Sequence, residues 1–505
     1  MLIEEHPDEQ GERIGGEQRI GVGIAHEVHV GAMATIMASA AGMGPRRHSA
    51  PVGHVSQAAA WGGGRVRRRN AGPTNSSTFV GVRGPGTAVG VGGTIRLVTS
   101  SPGTIAQALH GSSVDMVTLQ RRYGAQFAMV RKVLGVAPNA AAYLEIWPIG
   151  MRTYNVLVPN FLNLPFLLFG FGPSKATVGL AMYTASRAAG CAYCASHCCA
   201  FALRRGADEG DLVRIVDRGP ASGGYSSAER SALDVAEGLG RVPGSLTPAQ
   251  RDALRDSFSP ADAEWLVLAV AVMGFLNKFN DTVGIPLEES MLALSDEVIG
   301  PTGWTAGKHL PIPAATVTPT KPQPDRFVDL LGLLPVLPSV IRADKRWTSG
   351  VPHSWPAVGI HLRQRTGHDF PVLAHLSHGR AIRALAAVLG AKTDPKQSRL
   401  GLRAKHLAGL VYANAVEDEA LAKSARNLAE YAGATTSQLA GSRDGLDKRT
   451  DTALAYAEAA SSSPAQITPE VIAAATKELA PPEIIELTVW ISVMQLLHRL
   501  HAFYE

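Results

Sequence analysis

The four cysteines of this 505-residue chain fall within nine positions, in the run Gly190-Cys-Ala-Tyr-Cys-Ala-Ser-His-Cys-Cys. Disulfide scaffolds spread their cysteines along the chain so that the bridges close long loops, and these cysteines are not spread. A Cys-x-x-Cys pair followed closely by a histidine is typical of a local redox or metal device. The cluster is therefore the part of the sequence best suited to chemistry.

The cysteines begin a helical stretch, because Gly190 interrupts the apolar segment before them and the next glycine is Gly206. Cys191 and Cys194 then lie in a first helical turn, where unpaired N–H groups and the helix dipole favour a thiolate. Three residues apart, they share a face and can form a disulfide after modest adjustment. His197 lies another turn along, where we expect it to orient or deprotonate Cys194 or a water beside it.

Two other interpretations compete with thiol chemistry. Free cysteines often serve as small core side chains, but four of them beside a histidine weigh against that. Structural zinc sites draw ligand pairs from two separated segments, and the sequence has no second cysteine pair. We therefore expect no metal and no cofactor. Cys198 and Cys199 are expected to be packing neighbours of the reactive set, with Cys198 on the face of Cys194.

Composition limits the partners and the location. Hydrophobic residues make up 46% of the chain, enough for well-buried cores, and the formal net charge of +5 does not favour nucleic-acid binding. No uninterrupted apolar run reaches the roughly 18 residues of a membrane span. The first residues are acidic and lack the order of a secretory signal. We expect a cytoplasmic protein in a reducing compartment, with no membrane and no nucleic acid among its partners.

Residues 1–115 form a different kind of sequence. From Val28 to Val114 there is no Asp, Glu or Lys, although Arg occurs repeatedly. The segment has no sustained helical or alternating pattern, so we expect no packed core there. It reads as a disordered tail, as an organelle-targeting leader, or as upstream sequence preceding a true start at Met116, and we favour the last.

The rest of the chain predicts helices and an internal repeat. Residues 231–281 align without a gap on residues 452–502, so that Ala232-Leu233 matches Ala453-Leu454 and Thr247-Pro248 matches Thr468-Pro469. We expect two fused helical units, residues 118–310 and 325–505. A proline-rich linker, residues 311–324, joins them.

The repeat also locates the chemistry. In the second unit Asp418 faces Cys191, Leu421 faces Cys194 and Ser424 faces His197, so only the first unit keeps the reactive groups. Upstream, Trp147-Pro148 has an echo at Trp355-Pro356. We expect the second unit to be a structural partner.

The motif and its surroundings resemble the carboxymuconolactone decarboxylase and alkylhydroperoxidase D superfamily. Gly-Cys-x-Tyr-Cys-x-x-His follows an Ala-Ser-Arg helix, and Phe258-Ser259-Pro260 opens a helix that leads to Asn280-Asp281 and Gly284-Ile285-Pro286-Leu287-Glu288. The resemblance covers nearly all of residues 118–310 and, in degenerate form, residues 325–505.

The resemblance implies an all-α fold that assembles into homo-oligomers, often trimers or hexamers. In the thiol-peroxidase branch the second motif cysteine attacks a hydroperoxide and the first resolves the sulfenic acid as a disulfide. Carried over by position, Cys194 attacks, Cys191 resolves and His197 relays a proton. An external dithiol then reduces the disulfide. Two fused units suggest a trimer that imitates a six-unit ring.

One position departs from the peroxidase pattern. Members of that branch place a Glu twelve residues before the first motif cysteine, and here that residue is Gly179. No Asp or Glu occurs from Trp147 to Ala207. The candidates for a replacement carboxylate are Glu145, Glu264 and Asp281.

Two alternative functions stay open. One is a lyase of the decarboxylase branch acting on a lactone acid, and the other is a non-catalytic redox-sensing assembly protein. The remaining polar residues near the site have structural interpretations: Asn277, Asn280 and Asp281 as helix caps or subunit contacts, and His406, His498 and His501 as interfacial or surface residues.

Overall fold

The computed structural model describes residues 102–218, 224–311 and 321–505, and every regular element in these ranges is an α-helix or a 3-10 helix. The predicted all-α class is confirmed. Most of the proline-rich linker, residues 312–320, and residues 1–101 lie outside the described ranges. No packed core was expected in residues 1–115, but the described residues 102–115 include the short helix Ile105–Ala108. Ile105 is fully buried there, and Asp115 caps the next helix.

The first half of the chain contains eleven α-helices among the described residues. A short 3-10 turn, Phe166–Phe169, separates the fourth from the fifth. They are α1 (Ile105–Ala108), α2 (Met116–Leu134), α3 (Ala140–Leu144), α4 (Pro148–Phe161), α5 (Lys175–Ala188), α6 (Ala192–Arg204), α7 (Glu209–Arg218), α8 (Ser227–Gly240), α9 (Pro248–Ser257), α10 (Pro260–Val283) and α11 (Glu289–Val298).

The second half contributes ten more within the described ranges. They are α12 (Phe327–Leu331), α13 (Leu337–Trp347), α14 (Ala357–Thr366), α15 (Gly379–Lys392), α16 (Leu402–Ala415), α17 (Glu419–Tyr431), α18 (Thr436–Leu439), α19 (Lys448–Ser461), α20 (Pro469–Glu478) and α21 (Pro481–Tyr504). Further 3-10 turns occur at Gly300–Thr302, Gly307–His309 and Pro371–His375.

The helices α10 and α21 are each 24 residues long and form the most extensive helix contact in the molecule's described part. Both begin at a proline in the first turn, and Ser259 caps α10 through the amide of Asp262. They approach closely at Gly274, where a Cβ would lie 2.9 Å from the Cδ of Arg499. Nearly all the side chains of the two helices are buried, so this pair is the centre of the core.

Helix α10 is long and apolar enough to cross a membrane by length and composition, with a mean hydropathy of 1.3 over its best 18-residue window. Its longest uninterrupted apolar run ends at Leu276, before Asn277 and Lys278, so the window passes on its average hydropathy and not as an unbroken apolar run. In this fold 94% of that window is buried inside the protein, which is the environment of a core helix.

The bounds of the helices repeat as the sequence alignment predicts. Helices α8, α9 and α10 begin and end 221 positions before α19, α20 and α21, and α5 and α6 do so 227 positions before α16 and α17. The residues that precede α6 and α17 share a left-handed backbone, with φ of 68° at Gly190 and 58° at Glu417. The next residue caps its helix in both halves: Cys191 accepts from the amide of Cys194, and Asp418 accepts from that of Leu421.

The upstream echo does not occupy equivalent elements. Trp147-Pro148 opens α4, which directly precedes the α5–α6 pair, whereas Trp355-Pro356 precedes α14. The helix that precedes α16–α17 is α15, and α4 and α15 pack against each other. A shared Trp-Pro dipeptide is weak evidence that two segments are equivalent when the apolar periodicity around it does not also match.

A buried ion pair between α16 and α21 provides a test of how these two helices pack. Lys405 Nζ lies 2.7 Å from Glu486 Oε1, and both side chains are almost fully buried. Lys405→Met leaves a buried carboxylate without its cation, so we expect a loss of about 3 kcal/mol in the free energy of unfolding, measured by urea denaturation.

The matched control is Lys448→Met, because Lys448 pairs with Glu478 at 3.2 Å while its own side chain is 70% exposed. We expect that substitution to cost less than about 1 kcal/mol. Equal losses in the two variants would contradict the burial argument.

Candidate functional site

The cysteine cluster lies at the start of α6, in the position that the sequence predicts. Cys191 is the N-cap, and its sulfur accepts a hydrogen bond from the backbone amide of Cys194 at 3.4 Å. Gly190 makes the tight entry possible, because its φ of 68° favours glycine and a Cβ there would lie 2.9 Å from Pro464. All four thiols are free and buried. The structure therefore brings the predicted Cys191–Cys194 pair together in one helical turn.

The two thiols of the pair have different surroundings. Burial raises the pKa of the Cys191 thiol well above its ordinary value, and the neighbouring thiol of Cys194 and the charge of Asp281 raise it further. Cys191 therefore stays protonated, as suits a residue that waits for its partner to be oxidised rather than one that attacks first.

Cys194 has a specific hydrogen-bond donor. The side-chain amide Nδ2 of Asn280 lies 3.2 Å from its sulfur, and Asn280 Oδ1 is buried without a hydrogen-bond partner. Asn280 was expected to cap a helix or to contact another subunit. It instead points from α10 at the predicted nucleophile. A donor to sulfur stabilises the thiolate relative to the thiol.

A buried cation from the second half completes these surroundings. Burial lowers the pKa of Arg499 only to about 10, so its guanidinium is charged at neutral pH. Arg499 donates to the carbonyl of Val270 at 2.8 Å. No sequence motif marks this residue, because it lies more than 300 positions from the cysteines.

His197 does not contact the thiol pair. Its Nδ1 lies 3.0 Å from the carbonyl oxygen of Tyr193, and its Nε2 lies 2.9 Å from Glu288 Oε2. Both ring nitrogens are therefore occupied. The expectation that His197 orients or deprotonates Cys194 directly is wrong in this arrangement, because the side chain leaves α6 towards Glu288 rather than along the cysteine face.

Glu288 supplies the carboxylate that the sequence lacked near the motif. Its Oε1 accepts from the hydroxyl of Tyr193 at 3.0 Å and from the backbone amide of Asn139. Burial opposes the charge of Glu288, but His197 and these donors hold its pKa below the ordinary value. Burial likewise disfavours charge on His197, yet Glu288 raises the pKa of His197 above its ordinary value. The pair is thus a buried ion pair near neutrality.

The three predicted replacement carboxylates have other partners. Glu145 pairs with Arg122 at 2.7 Å, and Glu264 accepts from the backbone amides of residues 377 and 378. Asp281 is close enough to Cys191 to affect its pKa but pairs with Lys308 at 2.9 Å. At Gly179 a Cβ would lie 2.8 Å from the Cα of Ala202, so the contact between α5 and α6 leaves no room for a Glu there.

The other two cysteines are packing neighbours, as predicted. Cys198 lies on the side of the reactive pair, with its sulfur 3.6 Å from Ser186 Oγ and 3.9 Å from the sulfur of Met273. Burial raises the pKa of both Cys198 and Cys199 to about 12. The Ser186 hydroxyl opposes the rise in the pKa of Cys198, whereas the donor to Cys194 is a side-chain amide.

Glu288 borders a cleft of about 610 Å³ that is also lined by Asn139, Tyr143 and Asp115. The carboxylate therefore stands between His197 and this cleft. A proton can pass from solvent in the cleft to His197 through Glu288 without crossing the apolar core.

The second half is not empty of reactive groups at the equivalent place. Asp418 Oδ2 lies 2.9 Å from His498 Nδ1, and Asp418 Oδ1 lies 3.3 Å from His501 Nδ1. Ser424 Oγ lies 3.0 Å from His368 Nε2. The histidines at 498 and 501, expected at a surface or interface, are buried.

His406 was also expected at a surface or interface and is buried, with its ring 5.2 Å from that of Trp490. The second half therefore replaces the thiols with an acid–histidine network rather than with apolar side chains alone. Over the described ranges, no group of three or more His, Cys, Asp or Glu residues is arranged to hold a metal ion.

In comparisons with known proteins, the chain matches no family model, no curated protein and no solved structure.

Proposed function

We propose that the chain is a thiol-dependent, peroxidase-like oxidoreductase that reduces hydroperoxides through Cys194 and Cys191. The observation that carries the proposal is the asymmetry of the pair. Cys194 receives a hydrogen bond from Asn280 at 3.2 Å, whereas burial and its neighbours hold Cys191 in the thiol form. We include in this proposal that the chain belongs to the carboxymuconolactone decarboxylase and alkylhydroperoxidase D superfamily, which its motif resembles.

The proposed reaction has two steps on the protein. Cys194 releases its thiol proton and the thiolate attacks the terminal oxygen of the hydroperoxide. The O–O bond breaks, Cys194 becomes a sulfenic acid, and the alkoxide takes up one proton, equal to the one that the thiol released, and leaves as the alcohol. The Cys191 sulfur then attacks Cys194, a disulfide forms, and the hydroxyl leaves as water with the thiol proton. An external dithiol reduces the disulfide and is itself oxidised.

The surrounding residues have separate roles in this scheme. Asn280 and the charged Arg499 favour negative charge at the sulfurs. His197 and Glu288 exchange protons with the cleft and reach the thiols only through intervening groups. His197 therefore acts as a relay at one remove from the sulfur, and not as the base that takes the Cys194 proton directly.

The same proposal covers the assembly and location of the chain. The two halves are fused copies of one unit, in agreement with their matching helix bounds, and the chain forms homo-oligomers in a reducing cytoplasm.

A second candidate function, a redox sensor without turnover, is favoured by one observation. Cys191 and Cys194 are only 1% and 2% exposed.

The test of the function uses the two cysteines separately. We expect Cys194→Ser to abolish peroxide consumption in the presence of dithiothreitol, because the attacking sulfur is lost. We expect Cys191→Ser to accumulate a Cys194 sulfenic acid that dimedone traps, detected by mass spectrometry.

Cys199→Ser is the matched control, and we expect it to keep wild-type turnover. Unchanged turnover in Cys194→Ser would refute the proposal. Wild-type protein that forms the Cys191–Cys194 disulfide once but does not turn over would favour the sensor.

The role of Asn280 generates a second prediction. Asn280→Asp replaces the donor to Cys194 with a carboxylate, so we expect the reaction of Cys194 with hydrogen peroxide to slow by at least about tenfold, measured by stopped-flow fluorescence. Asn277→Asp makes the same change one turn earlier, where the side chain donates to Ser186 and accepts from Arg499 instead of contacting Cys194. Equal slowing in both variants would show a general effect of negative charge rather than the loss of this donor.

The ion pair between His197 and Glu288 predicts a pH dependence of stability. The raised pKa of His197 contributes stability at low pH that is lost as pH rises through that pKa, and the lowered pKa of Glu288 contributes stability that is lost in acid. We therefore expect Glu288→Gln to destabilise the protein most between about pH 5 and 6.5, by roughly 1–2 kcal/mol, and less above the pKa of His197.

Urea unfolding of wild type and Glu288→Gln at pH 5.5 and pH 8.5 measures the difference. NMR titration of His197 provides the second readout, and its pKa should fall in the variant. A difference that grows with pH would contradict the assignment of the ion pair.

A further inference from the structure

The thiol pair lies beneath a surface segment of the other half of the chain. This segment, residues 461–465, begins at the last residue of α19 and is called the strap. Its Pro464 is exposed on the surface, yet lies against Gly190, the residue before Cys191. The thiols beneath are 1% and 2% exposed. A segment of the second half thus covers the entrance to the helix that carries the site.

One lysine of the first half holds the strap from below. Lys278 Nζ donates to the carbonyl oxygens of Ala460 at 2.9 Å, Ser461 at 3.3 Å and Ser462 at 2.6 Å, and to Ser463 Oγ at 3.0 Å. Three of these acceptors belong to the strap itself. The end of α19 and the strap are thereby fastened to the middle of the core.

An ion pair of the first half holds the far end of the strap. Asp281 Oδ2 accepts from the amide of Ala465 at 2.6 Å, and Lys308 donates to the carbonyl of the same residue at 3.3 Å. Lys308 and Asp281 also bind each other at 2.9 Å. Both ends of the strap are therefore attached through polar contacts, which can break and reform without disrupting the packed core.

We propose that the strap is a gate over the thiol pair, fastened by Lys278, Asp281 and Lys308, and that it opens to admit the dithiol that reduces the Cys191–Cys194 disulfide. The inference rests on the proposed function in taking these two cysteines as the reactive pair. It assigns regulation of access to the half of the chain that carries no thiols.

The size of the two reactants explains why a gate is useful. A small peroxide needs only a narrow path to Cys194. A reducing dithiol must bring its sulfur in line with the buried S–S bond, because exchange proceeds through a mixed disulfide. A closed strap therefore admits oxidation more readily than reduction, and its opening sets the rate at which the oxidised pair is recovered.

The test measures access to each thiol and not turnover. In Lys278→Met and Lys308→Met, alkylation by N-ethylmaleimide is followed at each cysteine by mass spectrometry. We expect Cys191 and Cys194 to react at least about tenfold faster than in wild type, because loss of even one charge-assisted hydrogen bond to the strap gives about that factor. Cys199, fully buried and away from the strap, should keep its rate.

Lys308→Met is the second variant if Lys278→Met fails to fold, because the Lys308 side chain is 32% exposed. It also removes the cation from the buried carboxylate of Asp281, so its urea unfolding is compared with that of Lys405→Met. Lys405→Met, a buried lysine that does not touch the strap, is the control for general destabilisation. Unchanged alkylation in Lys308→Met, or equal acceleration at Cys199, would overturn the gate. Faster alkylation without peroxide turnover would support the gate and count against the proposed function.

Discussion

The packing of α10 against α21 is the constraint on which the rest of the structure depends. Each of these central helices carries one buried basic side chain that reaches across to the other half. Lys278 on α10 binds carbonyls at the end of α19, and Arg499 on α21 binds Val270 and Asn277 of α10. A buried cation is tolerated only when such acceptors surround it, so the buried basic side chain of each half depends on hydrogen-bond acceptors from the other half.

The same arrangement places the candidate site at the junction of the halves. The first half provides both thiols and Asn280, which donates to Cys194, and the second half provides Arg499 and the strap. Asn280 donates to the sulfur of Cys194, whereas burial and its neighbours raise the pKa of Cys191. The half without thiols is therefore part of the site rather than an inert copy.

The equivalent place in the second half shows how a fold keeps a position while its chemistry changes. Asp418 caps α17 with the backbone geometry that Cys191 has at α6, after a left-handed residue in both cases. Its carboxylate is satisfied by His498, which stands 221 positions after Asn277. A buried carboxylate needs such donors, and the two histidines of α21 provide them.

The sequence by itself determined the features that depend on neighbouring residues. Helical periodicity and caps established the all-α class, and the spacing of Cys191 and Cys194 placed them in one first turn, because backbone geometry relates residues three apart. Only the tertiary structure decided which side chains surround them. Glu288, Asn280 and Arg499 come from distant positions, and Gly179 excludes the expected Glu because two helices touch there. The direction of His197 was decided in the same way, since a carboxylate 91 positions away draws it from the thiols, and no local pattern encodes that contact.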